Sequence, residues 1–159
     1  MPVYNKTWLG VALSTSNSTW ELVTTATGEI RVLEHYYGGE ATSSTVLRTG
    51  IMRVNAQGTG TAPTAYTPNL FKSGAVKSVA AASTVYGANN ATIAWGTAQE
   101  TLFDPMVTHA FNAFGGTDRW VPQPGEEIYT NGGSAAGSIS SRSLSGTPIT
   151  SGHMIFEEL

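Results

Sequence analysis

The sequence predicts an all-β chain: one antiparallel β-sandwich spanning residues 1–159, with little helix. Three observations carry that expectation. Over residues 102–159, short apolar runs alternate with turn residues, the pattern of successive antiparallel strands. No stretch there keeps a clean helical period. Ser and Thr make up roughly a quarter of the chain and Gly numbers 18, whereas Lys, Glu, Gln and Arg are scarce. Thr suits a pleated surface, and Gly and Asn serve turns.

In the C-terminal region the runs are 103–114, closed by Gly115-Gly116; 119–121, closed by Pro122 and Pro124-Gly125; 127–129, closed by Asn131-Gly132-Gly133; 138–144, closed by Gly146 and Pro148; and 153–159. The last run reaches the end of the chain, so that end is expected to be tied into a sheet. Toward the N-terminus, 7–13 reads as a first strand or as part of a lead-in arm over 1–18. The alternation in 19–26 and 29–37, with a turn at Thr27-Gly28, predicts a hairpin over 20–37. Residues 45–55 read as a strand bent at Gly50. Residues 56–74 carry Gly, Pro and Thr with little period and read as a long functional loop. Short strands are expected over 75–86 and 91–95. The faces predict burial of Trp20, Leu22, Val32, Val54, Phe111, Trp120, Ile128, Met154 and Phe156.

Composition narrows the function classes. Charged residues are 12% of the chain and the net charge is −3. That balance speaks against non-specific nucleic-acid binding, which needs clustered Lys and Arg. Cys is absent, so disulfides and thiolate metal sites are excluded. No run approaches the length of a membrane-spanning helix. The first residues, MPVYNKTWLGVALSTS, make a poor signal peptide, so synthesis in a cytoplasm without processing is expected.

Residues able to do chemistry are few. His35, His109 and His153 lie far apart with no metal spacing, and each reads as an ordinary strand histidine. In a strand, Asp104 and His109 would face opposite sides. Glu126-Glu127 and Glu157-Glu158 are adjacent pairs, so neither can form a glycosidase dyad alone; the last pair is expected to discourage edge-to-edge sticking. There is no Gly-x-Ser-x-Gly elbow, and Gly58-Thr59-Gly60 lacks the Lys-Ser/Thr of a phosphate loop. A sandwich hydrolase would have to use Asp104, Asp118 and the glutamates. Trp8, Trp20, Trp95 and Trp120 suit either sugar stacking or the core, the core being the better reading for Trp20 and Trp120. No catalytic residue, metal or cofactor is assigned.

HAFNAFGG at 109–116, RWVP at 119–122, PGEEI at 124–128 and SGHMIFEE at 151–158 together resemble small β-sandwich proteins from the structural gene blocks of tailed bacteriophages. In particular they are similar to jelly-roll capsid decoration, or cement, proteins. The likeness is one of pattern and composition over the last third of the chain. It implies a non-enzymatic virion protein on the capsid surface, a homotrimer bound to the major capsid protein. Tyr66, Leu70, Phe71, Trp95 and Tyr129, apolar or aromatic residues in regions reading as loops, are the candidate oligomer or lattice contacts. Residues 1–6 and the 56–74 loop are the candidate docking elements. The alternative is a carbohydrate-binding, lectin-like domain of a phage tail or receptor-binding protein.

Overall fold

The computed structural model describes residues 3–15, 19–23, 29–53, 69–70, 84–85, 105–130 and 139–159. Among them the strands are β1 (Val3–Ala12), β2 (Trp20–Val23), β3 (Ile30–Glu40), β4 (Val46–Arg53), β5 (Asn69–Leu70), β6 (Thr84–Val85), β7 (Val107–Asn112), β8 (Phe114–Trp120), β9 (Ile128–Tyr129), β10 (Ile139–Ser145) and β11 (Ile149–Glu158). Every pairing is antiparallel.

The strands form two sheets. One has the order β5-β1-β11-β3-β8, with β9 also pairing β3; the other has the order β6-β2-β10-β4-β7. Setting aside the two-residue strands, β1-β11-β3-β8 faces β2-β10-β4-β7. This is the strand order of a jelly roll, with successive strands crossing between the sheets. The expected fold class is therefore the observed one.

Alternating residues from each sheet fill the core. Tyr4, Trp8, Ile30, Val32, Tyr37, Met154 and Phe156 enter from one side, and Trp20, Leu22, Leu47, Ile51 and Ile139 from the other. Tyr4 and Phe156, opposite each other in the β1–β11 register, stack with centroids 5.4 Å apart. The Tyr4 hydroxyl donates to Glu158 Oε2 at 2.9 Å. Burial, reinforced by that carboxylate, pushes the phenol pKa up to about 12.

A bulge sets the phase of β3. Ile155 pairs Glu34 and Phe156 pairs Val32, which leaves Leu33 as an extra residue. Ile30 and Val32 face the core before it, and His35 and Tyr37 after it.

Several expectations are corrected. Residues 3–12 are a paired strand with Tyr4 buried, so they are no free arm. The 20–37 segment is not a hairpin: β2 and β3 lie in opposite sheets. Both strands alternate toward one core, and alternation alone does not say from which side. Gly115-Gly116 lies within β8, and the chain turns at Ala113. β4 runs through Gly50 without interruption. Glu157 and Glu158 are buried on β11, a central strand, so they guard no edge. Trp20, Leu22, Val32, Ile128, Met154 and Phe156 are buried as expected, while Phe111 and Trp120 are only partly buried. Val54 lies outside the described residues, as does the 56–74 loop apart from Asn69–Leu70, which adds β5 to β1.

Candidate functional site

The chemistry-bearing side chains gather between the sheets. Trp20 on β2, His35 on β3, His109 on β7 and Asp118 on β8 all point inward and form one hydrogen-bonded chain. The Trp20 Nε1–H donates to His35 Nε2 at 2.9 Å. His35 Nδ1 meets His109 Nε2 at 3.2 Å, and His109 Nδ1 meets Asp118 Oδ2 at 3.1 Å. The chain crosses the core from sheet to sheet at every link.

Local structure explains the alignment. The Leu33 bulge turns His35 inward. His109 lies opposite Thr49 in the β4–β7 register, on the inward row. Asp118 follows on β8 after the turn at Ala113. Gly39 accommodates that turn: a side chain there would run into the Ala113 backbone. Both histidines are almost wholly buried, while the Asp118 side chain stays about one-third exposed.

Aromatic rings pack the chain on all sides. His35 meets Tyr37 edge-on at 4.6 Å and Trp20 at 5.2 Å, and Trp8 lies 5.8 Å away. The Tyr37 hydroxyl bonds Ser141 Oγ at 2.9 Å. Burial holds the His35 pKa well below the ordinary imidazole value, and neighbouring His109 and His153 add to the shift. Burial also lowers the His109 pKa, with Asp118 opposing it. Both imidazoles are thus held neutral.

An Asp–His pair is part of hydrolytic triads. Here the second imidazole nitrogen of His109 bonds His35, where a triad would present it to a nucleophile. Asp104, the sequence-based partner considered for His109, lies outside the described residues; the observed partner is Asp118. Residues 109 and 118 are nearly symmetric about the turn at Ala113, and that spacing was the available signal. Nothing in the sequence linked His35 to His109, because their contact depends on the bulge and on the sheet assignment.

His153 sits elsewhere, on the outer face of the β1-β11-β3-β8 sheet. Its Nε2 lies 2.9 Å from Glu34 Oε1, and its ring stacks on Tyr36 at 5.2 Å. Arg119 grips the same carboxylate with two hydrogen bonds of 2.8 Å. Arg119 is the main cause, with His153 adding, of a Glu34 pKa below the usual range. Among the described residues no group of His, Asp and Glu is arranged to hold a metal.

No family model, curated protein or solved structure matches this chain.

Of the candidate contact residues, Tyr129 is half-buried in β9, opposite Arg31, and Leu70 belongs to β5. Tyr66, Phe71 and Trp95 lie outside the described residues. Sequence reasoning missed a set of exposed apolar side chains. Leu9 is 81% exposed, Val46 66%, Phe114 59% and Ile149 44%. Val46 and Phe114 both lie beside the turn at Ala113: Val46 pairs Asn112, and Ala113 N donates to Thr45 O.

Proposed function

We propose that this chain is a non-enzymatic structural protein of a tailed-bacteriophage particle: a capsid decoration protein that binds the major capsid protein lattice and stabilises the head. The two-sheet jelly-roll architecture carries the reading. Leu9, Val46, Phe114 and Ile149 are exposed and available for contact with another protein surface. The jelly roll is a recurrent architecture of virion proteins, which supports the reading by analogy of fold. The buried position of the His109–Asp118 pair, with its free edge taken by His35, fits a structural role. Trp8 and Trp20 are buried and Trp120 is half-buried, so among the described residues no tryptophan offers an open stacking face to a sugar.

In this proposal the protein assembles as a homotrimer that docks on the lattice, where many copies make a weak single contact effective. The test is rebinding of purified protein to particles that lack it. Saturable rebinding, with copies per particle in the hundreds by mass spectrometry, is the expected result. Absence of rebinding, or a particle containing only a handful of copies, overturns the capsid assignment. Glycan-array binding without particle binding would favour the lectin class.

A further inference from the structure

We propose that the Trp20–His35–His109–Asp118 chain is an acid-sensitive latch between the two sheets, closed when both imidazoles are neutral and opened when either takes up a proton. The inference concerns the isolated chain and does not rest on the virion reading.

The direction of every link follows from one fixed donor. An indole nitrogen can only donate. His35 Nε2, 2.9 Å from Trp20 Nε1, must therefore accept, and the single proton of neutral His35 lies on Nδ1. That proton points at His109 Nε2, so His109 accepts there and carries its own proton on Nδ1. This second proton points at the Asp118 carboxylate. Each ring nitrogen has one role, and all donors run the same way.

No rearrangement of the two tautomers accepts an extra proton without loss. A proton added to His35 sets Nε2–H against the indole N–H. A proton added to His109 sets Nε2–H against His35 Nδ1–H. Moving the His35 proton to Nε2 relieves that second conflict and recreates the first. A buried donor left facing a donor is costly. The broken link is in each case a bond between the sheets, because β2 and β7 belong to one sheet and β3 and β8 to the other.

The surroundings offer little compensation. Among the described residues, Asp118 on β8 is the carboxylate that bonds the pair, and it does so through His109. From β3, Tyr37 presents a hydroxyl that burial keeps neutral. From β1 comes Trp8, from β4 Thr49 and from β10 Ser141, none of them charged. From β11, His153 on the outer face acts as a further positive neighbour when protonated. Asp118 favours the charged form of His109 and is no neighbour of His35 in the chain, so His109 is protonated before His35.

The sign follows from the depressed folded-state values. Above the unfolded imidazole pKa of about 6.5 the latch is fully closed, and its contribution is lost as pH falls toward the folded values. Below that point the opening constant should rise about tenfold per pH unit for each histidine, about a hundredfold for the pair. Carboxylates titrate lower, near pH 4. His153→Gln, used as the background throughout, leaves His35 and His109 as the only histidines of the chain.

The test is nuclear magnetic resonance of the full chain. Long-range nitrogen–proton correlations at pH 7 should show His35 and His109 as neutral Nδ1–H tautomers. Exchange of the Trp20 indole proton, corrected for its intrinsic rate, should accelerate by about a hundredfold per pH unit as pH falls from about 6 to 5. His35→Gln keeps an acceptor toward Trp20 and a donor toward His109 but cannot be protonated, so its acceleration should drop to about tenfold per unit. An Nε2–H tautomer on either ring overturns the proposal. So does uptake of a proton by His35 while the Trp20 indole stays protected.

Discussion

Gly152 lies directly under the indole of Trp8, its partner in the β1–β11 register. A methyl group built on Gly152 would run into Trp8 Cζ2 and into the Tyr36 carbonyl oxygen. Trp8 has little freedom to retreat, because its ring is buried and packs edge-on against Tyr37 at 5.2 Å. Gly152→Ala should therefore destabilise the sandwich by about 1–3 kcal/mol, as overpacking does. Urea unfolding followed by tryptophan fluorescence measures it, and an unchanged midpoint would show that the indole can shift.

Two phenylalanines should separate cleanly. Phe156 is wholly buried and stacked on Tyr4, so Phe156→Ala should cost about 3–5 kcal/mol. Phe111 only flanks the core from β7, so Phe111→Ala should cost about 1–2 kcal/mol. Equal losses at both positions would mean that the outer side of β7 is covered in solution.

The ion pair on the outer face should matter little and depend on pH in one direction. Arg119 is largely exposed, so Arg119→Ala should lower stability only slightly, and less in high salt. The Glu34 pKa is depressed in the fold. Its contribution is present above the unfolded carboxylate value of about 4.3 and is lost as pH falls through the lower folded value. A chemical-denaturation series from pH 7 to 3, wild type against Arg119→Ala, should converge at the acid end.

The exposed apolar side chains can be tested without touching the core. Leu9→Asp and Phe114→Asp alter exposed side chains, so circular dichroism and the unfolding midpoint should stay within about 0.5 kcal/mol of wild type. Self-association by light scattering, or particle rebinding, should be lost in at least one of them. Retention of both properties in the double variant would move the interface elsewhere.

The sequence revealed the strands but not their sheets. Alternation marked Trp20, Leu22, Val32, Met154 and Phe156 as core residues, because one-sided burial leaves a period of two. The same alternation cannot say which sheet a strand joins, hence the false hairpin between β2 and β3. Nor could it foresee that Leu33 would shift the phase of β3, since a bulge depends on its partner strand. The histidine chain was hidden for the same reason: two residues 74 positions apart meet only after both effects have acted. The contrast between His35 and His153 shows the limit clearly. They are alike in sequence context, yet one is sealed in the core and the other stacks outside on Tyr36.

The positions of β10 and β11 bear on how the chain is made. β10 lies between β2 and β4, and β11 lies between β1 and β3. Neither sheet can close until these late strands leave the ribosome, and the place between β1 and β3 stays unfilled until β11 is made. The place between β2 and β4 likewise waits for β10. Contacts such as Tyr4–Glu158, 154 residues apart, form only then. Folding should be slow for a chain of this size, as it is where pairing is non-local. Until then each place can take a strand from another copy, so crowded synthesis invites exchange of the β10–β11 segment between neighbours.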